Sequence, residues 1–287
     1  MSQTTSRETT SSAKQSNNEH QEILHETTLF AEPIFHFKHF TVTNSLFVSW
    51  AVVLLIIAIS IFIKKKIRKI PRRTQNITEV VIEKALELCD SVTNSRKKSL
   101  KIFPLVFAFF IFILLNNWFG LLPGVGSIGF IEGHDGHSMF IPFLRGGTAD
   151  LNTTLALSLI AIIATHLFGV VTIGLWSHIN KFINIKVLLA VPKKIIKDPS
   201  ILLVNPIKFF VGIVEIIGEI AKVASLSFRL FGNIFAGEVL LISMAAICSF
   251  VLPIPFIFLE IIVGLIQALI FAMLTLVFAT ISMSEGH

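Results

Sequence analysis

Residues 208–247 read KFFVGIVEIIGEIAKVASLSFRLFGNIFAGEVLLISMAAI. The stretch is apolar overall, yet it carries Lys208, Glu215, Glu219, Lys222, Arg229 and Glu238. An ionisable side chain at a bilayer centre costs about 2.5–3.5 kcal/mol on insertion scales, so several in one apolar helix mark a water path or a charged partner. At about 100° per residue, Glu215, Gly218, Lys222, Ser225, Arg229, Asn233 and Ala236 share one stripe. That face is polar and small, which lets another helix approach, and an arginine on it calls for a carboxylate on the partner. Glu219 lies at the edge of the stripe and is spaced to pair with Lys222 at i+3. Glu238 projects about half a turn round from Arg229 and so faces a different compartment.

A single helix over 203–250 would be about 70 Å long, more than twice the hydrocarbon thickness, so it must run steeply tilted or be kinked. The next helix opens after Pro253 and Pro255 and carries only Glu260 and Gln267 beside short hydroxyls. Seven residues apart, the two share one face and make a second polar seam.

Outward from this hairpin, the charge-free runs 41–63, 102–131, 151–177, 239–259 and 261–284 all reach the roughly 20 residues that a membrane span needs. With 53% hydrophobic and 15% charged residues and a mean hydropathy of +0.79, the solvent of this fold is lipid. The expected class is an all-α membrane protein. Its five embedded helices span about 42–66, 102–122, 151–177, 203–250 and 254–284, the last two forming a long tilted hairpin. A cytoplasmic amphipathic helix is expected at about 77–95. Residues 28–287 then form a single membrane domain behind a disordered polar tail, 1–27, in which nothing has the form of a cleaved signal peptide. No stretch remains for a large soluble catalytic domain.

The net charge of +6 resides in the loops. Segment 64–101 holds twelve Lys/Arg and 178–208 six, whereas the loop 123–150 holds only Arg145. The positive-inside rule puts the N-terminus outside and the C-terminus in the cytoplasm. This distribution points to a lipid surface and not to nucleic acid.

Several smaller features have plain readings. His36 and His39 sit in an aromatic stretch suited to the outer interface. Glu132, His134, Asp135 and His137 superficially resemble metal ligands, but in one short Gly-rich loop they read as hydrated surface, and no metal is expected. Cys89 and Cys248 stand where no structural disulfide belongs and read as inert. On the amphipathic segment, Ile77, Val80, Val81, Ala85, Leu88 and Val92 oppose Glu79, Glu83, Glu87 and Asp90. That pattern fits a docking surface for a soluble partner or a solvated linker equally well. No phosphate-binding glycine loop, zinc helix or nucleophile elbow occurs.

The run Ser225-Leu-Ser-Phe-Arg-Leu-Phe-Gly-Asn-Ile-Phe-Ala-Gly-Glu238 resembles the signature of subunit a of F-type ATP synthases. Leu115-Asn-Asn-Trp-Phe-Gly-Leu-Leu-Pro123, Thr148-Ala-Asp-Leu-Asn-Thr-Thr-Leu-Ala-Leu157 and Leu265-Ile-Gln-Ala-Leu-Ile-Phe271 match as well, over roughly residues 40–287. The resemblance implies the proton-translocating stator of the F0 sector, also called CF(0), of a rotary ATPase. Such a chain is not catalytic alone and needs no cofactor. Its partners would be a ring of c subunits each bearing one carboxylate, the b-subunit peripheral stalk, other ATP synthase subunits and the lipid bilayer. Its place would be the bacterial cytoplasmic (inner) membrane, an organellar inner membrane being the alternative. By the same resemblance Arg229 is the essential stator arginine. Asn117, Glu238 and Glu260 line the half-channel from outside, Gln267 and Asn233 sit near the arginine, and Ser225 and Glu215 lie toward the inner half-channel. In bacterial relatives a His can stand where this chain has Glu260, which leaves the local proton relay open.

Two rivals use similar chemistry. A secondary transporter also carries charged, broken membrane helices, but it is built on repeats that this chain lacks. A scaffold protein would use its intramembrane charges only for pairing.

Overall fold

The computed structural model describes residues 31–37, 40–68, 73–122, 124–125, 128–134, 137–176, 201–248 and 251–284. The expected tail and the basic segment 181–197 lie outside these. A short hairpin of β1 (Pro33–Phe37) and β2 (Phe40–Thr43) leads into α1 (Asn44–Lys66). Then come α2 (Arg73–Thr93) and α3 (Arg96–Gly120), followed by a second hairpin, β3 (Gly129–His134) and β4 (His137–Pro142). A 3-10 turn (Gly147–Ala149) feeds α4 (Leu151–Ile173), and the chain closes with α5 (Ile201–Ile247) and α6 (Pro253–Ser282). Five of these helices, all but α2, are long and apolar enough to cross a membrane. The protein is thus an all-α membrane protein carrying two β ribbons.

α3 opens at Arg96, six residues before the charge-free run that was expected to bound it, because Lys97, Lys98 and Lys101 belong to the same helix. Charge-free length therefore underestimates a span whose basic end stands in water. α5, at 47 residues and about 70 Å, cannot stand upright in a hydrocarbon layer of about 30 Å, and its partner α6 packs along it. The β ribbons had no counterpart in the sequence reading. The stretch 128–142 alternates too weakly to announce strands, yet Gly129 to His134 pairs in continuous register with Pro142 to His137.

The core lies where α3, α4, α5 and α6 meet. Phe109, Ile113, Leu114, Ala161, Ile162, Leu226, Leu230, Ala268 and Phe271 form one buried cluster, with Phe109 and Phe271 edge to face at 5.6 Å. A second cluster draws α2 onto the bundle through Cys89, which meets Ile102 and Val106 of α3 and Ala272, Leu276, Ala279 and Met283 near the end of the chain. α2 thus docks on the spans themselves, a partner that the reading of its amphipathic pattern did not name. Burial, seconded by the Asp90 carboxylate, pushes the Cys89 thiol up, which leaves it an unreactive packing group.

α1 is fastened differently. Only its first turns are buried, and the polar side chains there hold it. Asn44 Nδ2 donates to the Pro142 carbonyl (3.2 Å), Ser45 Oγ to Asp150 Oδ2 (3.1 Å) and Ser49 Oγ to Asn116 Oδ1 (3.3 Å). Without water to compete, such bonds are the available adhesive between helices whose apolar faces are equally content in lipid. Asp150 is central to this set. Besides accepting from Ser45 it caps α4, taking the Asn152 amide (3.1 Å) and the Thr153 hydroxyl (3.1 Å). Gly147 fits beneath because any Cβ would collide with Asn116 and Ser49.

Asp150→Ala removes an N-cap and the α1 contact together. The expected loss is roughly 1–2 kcal/mol, read as a lower thermal-aggregation midpoint of this subunit in the detergent-solubilised complex. Asp150→Asn, which keeps one acceptor, should lose less.

Candidate functional site

The ionisable residues of α5 divide into three groups along its length. At the centre, Arg229 is exposed, and its Nη2 donates to Ser225 Oγ one turn earlier (3.3 Å). Ser225, Gly232, Asn233 and Ala236 are exposed beside it, so the small polar face is open over these residues. The opposite face of the same turns, Leu226, Ser227, Leu230 and Phe231, is buried against the bundle. Thr154 on α4 hydrogen-bonds Ser227 there (3.2 Å).

Toward the C-terminal end of α5, Glu238 meets Arg145 from the loop before the 3-10 turn. Nη2 and Nε of the guanidinium both reach Glu238 Oε2, at 3.2 and 3.3 Å. Arg145 is only 4% exposed, against 29% for Glu238. A buried guanidinium requires an anion, and removing one partner of such a pair costs about 3–5 kcal/mol. One residue earlier on α5, Gly237 receives the carboxyl of Glu260 from α6 against its bare Cα, where any Cβ would overlap the carboxyl atoms. Glu260 is buried, so two carboxylates converge on one turn of α5, and Arg145 bonds to one of them.

Beneath this pair, Asn117 of α3 is buried with its amide satisfied on both sides. Nδ2 donates to the Gly264 carbonyl (2.9 Å) and Oδ1 accepts from Thr148 (2.6 Å). Trp118 Nε1 donates to the Ile261 carbonyl, 3.1 Å away, so α3 grips α6 along one face. Asn117 therefore acts as a staple between the 3-10 turn, α3 and α6, close to the Glu260 turn. Gln267 is half-buried on α6.

Toward the N-terminal side of Arg229, Glu219 accepts from Lys222 (2.7 Å), the i+3 pairing expected from spacing. His166 of α4 joins them, its Nε2 3.4 Å from Glu219 Oε2. Glu215 is half-buried a turn further back. Among the described residues no group of three or more His, Cys, Asp or Glu has the arrangement of a metal site.

Of the expected site residues, the fold joins Arg229 to Ser225, seats Glu260 on the turn of Glu238 and ties Asn117 to the helix bearing Glu260. Asn233 shares the open face of Arg229. Three participants escaped the sequence reading. Arg145 was visible as the lone basic residue of a 28-residue loop, and that isolation was its available signal. His166, the one ionisable group in its span, carried the same signal of isolation. Gly237 gave no signal, because only the three-dimensional approach of Glu260 explains it.

Together these features define a multi-pass membrane protein with a charged seam along its two longest helices. The profile of the ATP synthase A chain family matches residues 46–280. The chain is 32% identical over 240 residues to ATP synthase subunit a of Syntrophobacter fumaroxidans, covering 83% of this chain and 84% of that one. It is 29% identical over 239 residues to ATP synthase subunit a of Geotalea daltonii, with 83% and 87% covered. To ATP synthase subunit a of Trichlorobacter lovleyi it is 28% identical over 244 residues, with 85% and 89% covered. The chain belongs to the ATP synthase A chain family, the subunits a of the membrane-embedded F0 sector. Membership puts it in ATP synthesis coupled to ion transport, with the other subunits of that assembly as its partners.

Gly237→Ala is expected to lower both assembly and ion flux, and Glu260→Ala in the same chain should restore assembly. Quantifying assembled subunit in membranes from the single and double variants checks this, and purely additive losses would contradict the contact. Arg145→Ala should reduce assembled subunit more than Arg145→Lys, which retains a cation for Glu238.

Proposed function

We propose that this chain is the proton-conducting stator of its complex, with Arg229 as the essential arginine facing the carboxylates of a c-subunit ring. The observation that carries the reading is the open polar face around Arg229, flanked along α5 by two separately built charge clusters. An arginine on an apolar helix needs a carboxylate, and the small residues around it leave room for a passing helix. Its guanidinium does not lose its proton, so it favours the charged form of each rotor carboxylate as that group passes, and it blocks direct leakage. In lipid the rotor carboxylate travels neutral, because an unpaired charge there is prohibitive.

In this reading protons arrive from outside past Glu238 and Glu260, with Asn117 bracing the helix that bears Glu260. They leave by an inner half-channel lined by Glu215 and Ser225, and Asn233 and Gln267 sit near the arginine. The two clusters on opposite sides of Arg229 supply the offset that the mechanism needs. A membrane potential then contributes about 2.3 kcal/mol per charge per 100 mV. The alternation of basic loops supports an orientation with the N-terminus outside and the C-terminus in the cytoplasm, and the bacterial relatives support a bacterial inner membrane. The basic cytoplasmic loops and α2 are the natural contact for the b-subunit stalk.

Arg229→Ala in the assembled complex is expected to abolish ATP-driven proton pumping while the soluble head still hydrolyses ATP. Fluorescence quenching in inverted vesicles measures the first and phosphate release the second, and normal pumping by the variant would remove the assignment. Glu238→Gln should slow flux by less than about a hundredfold, the lower range for losing one proton-transfer group. Unchanged flux would exclude Glu238 from the path.

A further inference from the structure

α4 carries a single ionisable side chain, His166, and the fold sets it against Glu219 of α5 (3.4 Å). The other oxygen of Glu219 accepts from Lys222 (2.7 Å), whose ammonium lies 5.1 Å from the centroid of the Phe278 ring on α6. Three helices thus meet at one small charged cluster. It stands ten residues, or about 15 Å, before Arg229 on α5, on the side opposite the Arg145–Glu238 pair.

The Glu219–Lys222 pair is complete on α5 without the imidazole. Glu219 and Lys222 neutralise each other within one helix, and the lysine also has an aromatic face to rest on. A third group brought from another helix, of the residue type that exchanges a proton near neutral pH, adds a function that the pair lacks. The cluster is also neither sealed nor fully open. The side chains of His166, Glu219 and Lys222 are 30%, 19% and 32% exposed, compatible with access from a water-filled channel while the carboxylate stays oriented.

Among the described residues the charges around the imidazole are few. α5 supplies Glu215, Glu219 and Lys222. α6 brings the Phe278 ring, its one ionisable residue, Glu260, lying at the other end of that helix. The 3-10 turn has no ionisable residue, and Asp150 and Arg145 lie at or before the far end of α4.

We propose that His166 is a proton-transfer residue of the inner half-channel, held by Glu219 and tuned by Lys222. This rests on the stator reading above. A proton released by the rotor carboxylate reaches the imidazole through water. An N–H bond forms as the donor water species gives up its O–H, and the Glu219 carboxylate balances the resulting imidazolium. That proton then passes to water on the cytoplasmic side and the neutral ring is restored, with no net change in the protein.

The test is ATP-driven pumping by the assembled complex in inverted vesicles from pH 6 to 8, normalised to the amount of assembled subunit. His166→Gln should pump roughly tenfold more slowly near neutrality, with a flattened pH dependence, and added free imidazole should restore part of the rate. Lys222→Gln removes the cation beside the cluster, so the shape of the pH profile should change. The proposal is overturned if His166→Gln pumps normally, or if its loss merely tracks assembly while the pH profile keeps its shape. If His166→Gln fails to assemble, an unchanged pH profile in Lys222→Gln overturns it instead. Pumping by Arg229→Ala is read separately, since that result would sink the stator reading itself.

Discussion

A bilayer offers no solvent to a charge, so every ionisable group that this chain carries into its spans must be met by something other than water in bulk. α5 shows three answers to that constraint. Glu219 and Lys222 satisfy each other along the helix, Glu238 is met by a guanidinium from a loop, and among the described residues Arg229 reaches only to the hydroxyl of Ser225. The first two are complete within the chain. Among the described residues the third is not, since a hydroxyl oriented by an arginine is no counter-ion, and the incompleteness falls on the one stretch of α5 whose small polar face is open.

The same constraint explains why the surrounding scaffold is held by hydroxyls and amides. Lipid removes most of the hydrophobic advantage of helix association, so position is set by short polar bonds and close packing. Asp150, Asn116, Asn117, Thr148 and Ser45 join the starts of α1 and α4 to the end of α3, and Asn117 and Trp118 carry the connection on to α6. This polar girdle lies at the level where Arg145 leaves the loop for Glu238 and where Glu260 presses on Gly237. A shift of the girdle would therefore move both carboxylates at once.

The spans were legible because a run of twenty apolar residues has few alternatives, and the Glu219–Lys222 bond was legible because its partners are neighbours on one helix. The separation of Glu238 from Arg229 followed from phase alone. What stayed hidden was long-range in sequence. Arg145 and Glu238 are 93 residues apart and His166 and Glu219 are 53 apart, and nothing in either local pattern names the other. The resemblance implies a channel role for Asn117, whereas its bonds to Gly264 and Thr148 show a fastening role that no motif displays. The β ribbons were missed because each strand is short and the loops are rich in glycine, which weakens any alternation.

Glu238 and Glu260 show how location on one turn can separate two chemically identical groups. Arg145 reaches Glu238 with two nitrogens, while Glu260 is buried against the backbone of Gly237, where the fold makes space for its carboxyl and nothing larger. The difference is architectural: one carboxylate is fixed by a cation from a loop, the other by the absence of a side chain. Replacing Gly237 would therefore disturb Glu260 without touching its helix, and altering Arg145 would disturb Glu238 without touching α5. The charge at Arg229 is separated from both by more than two helical turns, about 13 Å along the axis, so under the stator proposal its open face can be occupied and vacated while the clusters on either side keep their shape.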